Sequence, residues 1–124
     1  MESANIRGLR IHYERRGAGP PLVLLHGIGS SSRSWRHQLA GLSDTFTVVA
    51  WDMRGYGASA DPPAPYAMAD VADDLAGLLD DLGFAHAHVC GLSLGGVVAQ
   101  EFVARHRRRI ISLVLADTLS GHGA

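Results

Sequence analysis

Lysine is absent. All 11 basic residues of the 124-residue chain are arginine. That removes Schiff-base chemistry and the phosphate-loop lysine at once. Cysteine occurs once, at Cys90, so neither an intramolecular disulfide framework nor a thiolate zinc cluster can form. A reducing compartment is compatible with that usage. No apolar run reaches the ~18 residues of a membrane span, and residues 1–10 lack the apolar segment of a signal peptide. Charge excess is also small: 12 acidic residues against 11 basic ones leave a net charge of −1. Such a chain has no global attraction for nucleic acid or an anionic membrane. A cytoplasmic protein that binds neither is therefore expected. Apolar residues are plentiful, at 47% with 19% charged, which is a globular rather than a disordered composition. The length suits one domain or part of one and excludes a second full domain.

Hydrophobic patterning organises the chain into alternating strands and helices, with no internal repeat. Residues 6–15 alternate roughly apolar and polar and predict one or two edge strands. Residues 22–25 and 46–51 are short unbroken apolar runs, as expected of strands buried on both faces. A polar Gly/Ser loop at 27–32 precedes a predicted helix at 34–42, and residues 53–65 carry three prolines and two glycines, predicting a loop. In residues 67–82, Val71, Leu75, Leu78, Leu79 and Leu82 form one apolar stripe at helical spacing. Asp70, Asp73, Asp74 and Asp81 are read as that helix's solvated face. A strand at 86–90, a helix at 94–107 and a last strand at 110–116 complete the pattern. The arginines of His106-Arg107-Arg108-Arg109 are read as a solvated helix end. This alternation predicts an α/β fold with a mostly parallel sheet and helices on both faces. Ligands of such sheets sit at the carboxyl ends of strands.

Four strand ends carry pointed residues: His26-Gly27, Asp52, Ser93 and Asp117. Gly91-Leu92-Ser93-Leu94-Gly95 follows an apolar strand and opens an apolar helix, the context in which G-x-S-x-G forms a nucleophile elbow. A serine at so tight a strand-to-helix turn takes a strained backbone conformation. The residues two before and two after it crowd one another, so both must lack side-chain bulk, and Gly91 and Gly95 do. The turn lifts the hydroxyl clear of the sheet and leaves the Leu94 N–H at a helix N-terminus, where partial positive charge favours an oxyanion. The glycine-rich loop at Gly27-Ile28-Gly29 makes the Ile28 N–H the second expected oxyanion donor. His26, at the strand end before this loop, is better placed to tie the loop down than to act as a base.

Leu24-Leu25-His26-Gly27, residues 51–59, Gly91-Leu92-Ser93-Leu94-Gly95-Gly96 and residues 113–118 together resemble the N-terminal half of the α/β-hydrolase superfamily. The flavour is similar to its esterases, 3-oxoadipate enol-lactonases and cofactor-free haloperoxidases. The resemblance implies that residues 1–124 are the N-terminal portion of one α/β-hydrolase domain, truncated after the sixth strand, with the C-terminal portion and cap absent. It implies a serine hydrolase acting on a small ester, lactone or related acyl bond through an acyl-enzyme, without cofactor or metal. Serine at the elbow argues against the aspartyl nucleophile of dehalogenases and epoxide hydrolases of this fold. It also implies that residues 52–59 form a structural loop, in which Asp52 and Arg54 pair with each other or hydrogen-bond the loop together.

The triad order on this fold is serine, then acid, then histidine. Ser93 is present, but no histidine matches the catalytic one. His12, His37, His86, His88 and His106 fall in strands or helices away from the predicted strand ends, and His122 lies in a Gly-rich tail. Asp117, ending the sixth strand, is read either as the acid or as a loop-organising residue. The chain is thus expected to be a hydrolase by resemblance and incomplete by inventory. The alternative is a non-catalytic half-domain that binds a ligand or needs a partner chain. A nucleotide-binding Rossmann domain fails because Ser32 stands where the third loop glycine is required. An unpaired, apolar sixth strand would also invite self-association through its edge.

Overall fold

A computed structural model describes residues 2–118. Six strands form one sheet: β1 (Glu2–Ile6), β2 (Leu9–Arg16), β3 (Pro21–Leu25), β4 (Thr47–Trp51), β5 (Ala87–Leu92) and β6 (Ile110–Ala116). Three α-helices accompany it: α1 (Arg36–Leu42), entered through a 3-10 turn at Ser32–Trp35, then α2 (Met68–Leu82) and α3 (Leu94–His106). The strand order is β1-β2-β4-β3-β5-β6. The pairs β1/β2 and β2/β4 are antiparallel, and β3/β4, β3/β5 and β5/β6 are parallel. The expected mostly parallel α/β sheet is therefore present. Chain order reverses at β3, whose neighbours are β4 on one side and β5 on the other. The crevice beyond the carboxyl ends of β3 and β5 is the topological switch point where such sheets bind ligands.

Strand periodicity sorts the core into two layers. Val23 and Leu25 of β3 and Val49 and Trp51 of β4 face α2 and α3, in a cluster with Leu75, Leu78, Leu79 and Phe102. The alternate residues Leu24, Val48 and Ala50 face Trp35 and Leu39 on the α1 side. β3 and β4 are thus covered on both faces, as their unbroken apolar runs require. Among the described residues β6 pairs only with β5, and its Ile111, Val114 and Leu115 are exposed. Among the described residues no helix is long and apolar enough to cross a membrane.

Two expectations are corrected here. Asp74 is not on a solvated face; it is fully buried. It receives Arg54 Nε and Nη2 at 2.7 and 2.9 Å, and Arg7 Nη1 at 3.2 Å. Arg54 therefore does not pair with Asp52. It ties the 53–65 loop to α2 instead, with its guanidinium 5.2 Å from the centre of the Tyr66 ring. Asp73, one residue earlier, is also engaged: Arg105 binds it through two hydrogen bonds of 3.0 and 2.8 Å, and His106 Nε2 lies at 2.8 Å. The Arg105 guanidinium, aided by His106 and outweighing the cost of burial, holds the Asp73 carboxyl down to about 2. This pair clamps α2 to α3.

A buried charge that loses its partner is costly. Asp74→Asn leaves Arg54, whose side chain is 10% exposed, without its counter-charge. Urea unfolding should show a loss of about 3 kcal/mol. A loss below about 1 kcal/mol, the range of exposed pairs, would contradict the role given to this contact.

Candidate active site at the β3 and β5 strand ends

β5 ends at Leu92 and α3 begins at Leu94, so Ser93 alone makes the turn. Its backbone sits at φ 55° and ψ −116°, a region costing of order 1–3 kcal/mol for a residue with a side chain. Contacts from both flanks hold it there. Ser93 N–H donates to the Ala116 carbonyl at 2.9 Å. Its carbonyl accepts from Gly96 N–H at 2.9 Å and from the Thr118 hydroxyl at 2.6 Å. The spacing of the two glycines has a direct steric cause. A Cβ on Gly91 would strike the Gly95 carbonyl, and one on Gly95 would strike the Leu25 and His26 carbonyls at the end of β3. The elbow can approach the sheet this closely only with bare backbone at both positions.

The loop after β3 lies against this turn, with the α carbon of Gly27 close beside the Ser93 side chain. His26, 1% exposed, fastens the loop from below. Its Nδ1 lies 2.8 Å from the Gly27 carbonyl, and its Nε2 accepts the Met53 N–H at 3.0 Å. One nitrogen must donate and the other accept, which fixes a neutral imidazole protonated at Nδ1. Burial pushes the His26 pKa down, with the Gly27 hydrogen bond and Asp52 opposing it. Both nitrogens are occupied by backbone groups, leaving neither free to take a proton from Ser93.

Asp52, at the end of β4, organises the neighbouring loops. Its carboxylate accepts Ser32 N–H at 2.7 Å and Ala58 N–H at 2.9 Å, and lies 2.7 Å from His12 Nδ1. Burial alone would raise its pKa, but these hydrogen bonds outweigh burial and leave it below the usual carboxylate range. His12 corrects another expectation. It is 6% exposed and sits beside a strand end, because β2 runs antiparallel to β4 and the His12 carbonyl accepts the Asp52 N–H at 2.9 Å.

Ile28, Ser93, Leu94 and Asp117 line one cleft of about 410 Å³, completed by Val97 and Thr118. Asp117 adopts φ 46°, a left-handed conformation that aspartate tolerates better than most residues. Leu94 is the first residue of α3, and first-turn N–H groups have no acceptor within their own helix. That turn carries no acidic residue, so no carboxylate of the helix's own first turn offsets its positive end. No histidine from the described residues lines the cleft, and His122 lies outside those residues. Nor is there, among the described residues, any group of three or more His, Cys, Asp or Glu side chains able to hold a metal ion.

Sequence reasoning missed Thr118 as a partner of Ser93 and Met53 as a partner of His26. Neither hydrogen bond has a local signature. Asp74 did have one: it lies three residues after Val71 and four before Leu78, on the buried stripe.

The sequence pattern of the alpha/beta hydrolase fold matches residues 20–123. The chain belongs to this family. A soluble epoxide hydrolase from Corynebacterium sp. is 38% identical over 118 residues, covering 95% of this chain and 41% of the relative. The 3-oxoadipate enol-lactonase 2 of Acinetobacter baylyi is 32% identical over 84% of this chain and 39% of its own. Among solved structures, a thermophilic esterase from Thermogutta terrifontis superposes with a TM-score of 0.95 at 34% identity, covering all of this chain and 48% of that one. The chain therefore spans less than half the length of these alpha/beta hydrolase relatives.

The steric account of the elbow separates two glycines. Gly95→Ala should cost more than about 3 kcal/mol in chemical unfolding, or prevent folding, since its Cβ meets rigid backbone. Gly41→Ala, in α1 with open space around it, should stabilise by up to about 1 kcal/mol. Similar effects at the two positions would contradict it.

Proposed function

We propose that this chain carries the nucleophile and the oxyanion donors of a serine hydrolase acting on a small ester, lactone or related acyl bond. Ser93 Oγ attacks the carbonyl carbon, and the Leu94 and Ile28 N–H groups receive the oxyanion. The observation that carries this reading is the Ser93 backbone itself: a strained serine at a helix N-terminus, opening on a cleft that also holds Ile28 and Leu94. Strain of this kind persists where the surrounding structure overdetermines it, and it clusters at functional sites. The family relatives, an esterase and an enol-lactonase among them, favour acyl chemistry, and serine at the elbow fits an acyl-enzyme.

The attack also needs a base to take the serine proton. Asp117, in the same cleft, is suited to orient a histidine but does not replace one. The base has to come from outside residues 2–118, either from His122 or from a further polypeptide segment. A second reading, a non-catalytic half-domain that binds a ligand, rests on the same lack of a cleft histidine among the described residues. The two differ in whether Ser93 can be acylated when a base is supplied.

With p-nitrophenyl acetate the 124-residue chain should give only weak background hydrolysis, which Ser93→Ala changes little, because a nucleophile without its base loses most of its advantage. Added imidazole should then yield an acetyl adduct on the peptide containing Ser93, absent from Ser93→Ala. No adduct with imidazole would favour the binding reading. Robust turnover that vanishes in Ser93→Ala would show that the chain already has a base, and His122→Ala would test whether it is His122.

A further inference from the structure

A second concavity, about 1110 Å³ and separate from the Ser93 cleft in its lining, runs along β2 beneath the 3-10 turn and α1. Ile11 and Tyr13 of β2 pack into the α2/α3 core. Strand alternation therefore turns His12, Glu14 and Arg16 to the opposite face, towards α1. Arg33 and Arg36, three residues apart across the junction of the 3-10 turn and α1, line the same groove. Helical spacing brings such residues to one side.

The charges in this groove are unevenly matched. Its acidic groups all have partners. Glu2 takes Arg15 at 3.1 Å, Glu14 takes His12 Nε2 at 3.1 Å, and Asp52 is filled by two backbone N–H groups and His12 Nδ1. Arg16, Arg33 and Arg36 are exposed, and among the described residues none has an ion-pair partner. Three unneutralised guanidiniums thus project from a strand and a helix around one concave surface. Guanidinium groups bind carboxylate and phosphate oxygens in a planar, two-point geometry. The lining holds four arginines against three carboxylates, and a concave surface with an excess of one sign concentrates the opposite sign. The groove is far larger than a single phosphate requires.

We propose that this groove is a binding site for a small multivalent oxyanion, a compound bearing several phosphate or carboxylate groups, held by Arg16, Arg33 and Arg36. The site is independent of Ser93, and its occupation needs no chemistry at the elbow.

Isothermal titration of the full chain at low ionic strength tests it, with inorganic tripolyphosphate and, separately, the tricarboxylate tricarballylate. At least one probe should bind one-to-one, more weakly as salt is raised. Binding of only one names phosphate or carboxylate as the source; binding of both establishes the shared oxyanion chemistry. Arg16→Gln, Arg33→Gln and Arg36→Gln should each weaken it by about three- to tenfold. Arg108→Gln, at an exposed position after α3, should leave it unchanged. All four positions are exposed, so these substitutions leave the fold intact. Failure of both probes to bind, or equal weakening by Arg108→Gln and the groove substitutions, would overturn the proposal.

Discussion

Ser93 occupies a backbone conformation that a residue with a side chain avoids, and the structure around it is arranged to keep it there. The turn passes so close to the carbonyls at the end of β3 that residue 95 has no Cβ, and it folds so tightly on itself that residue 91 has none either. It must also be held from the far side, where the Ala116 carbonyl and the Thr118 hydroxyl take the two polar groups of the Ser93 backbone. The elbow is thus wedged between the end of β3 and the end of β6. Order in these two strand ends is a condition for the serine geometry, and the layered core supplies it on the β3 side.

A similar logic extends to the loops around the elbow. Two strand ends supply buried polar side chains that tie the loops together: His26 and Asp52 collect backbone groups, and Arg54, two residues beyond Asp52, binds a side-chain carboxylate. His26 joins the β3 loop to Met53, Asp52 joins the 3-10 turn to the 57–58 turn, and Arg54 joins the long loop to Asp74 on α2. Loops over a parallel sheet have few backbone partners of their own. Buried side chains satisfy those groups at a gain of about 1 kcal/mol each and a larger penalty if left unmade. These contacts tie the loops around the Ser93 cleft to the sheet and to α2.

Features written into a few consecutive residues were legible from the sequence. The elbow, the two buried strands and the stripe of α2 each depend on a period of two, on helical spacing, or on the steric demand of one turn. The contacts that were not legible join residues far apart in the chain: His12 to Asp52, Arg54 to Asp74, Ser93 to Thr118. Asp74 shows the difference most clearly. An aspartate among four others on a helix has the composition of a solvated face, and only the arrival of Arg54 from a loop twenty residues earlier makes it a buried anion. The antiparallel entry of β2 was similarly invisible, and with it the placing of His12 beside a strand end.

The central claim is that Ser93 is poised by geometry while the base it needs lies outside residues 2–118. The most direct measurement is the rate at which a fluorophosphonate labels Ser93 in the His122→Ala chain, located by peptide mass spectrometry. The account predicts that Ser93 is labelled no faster than the other serines, since no histidine among the described residues lines its cleft. Rapid, stoichiometric labelling at Ser93 in that variant would contradict it, because a residue within 2–118 would then be activating the hydroxyl.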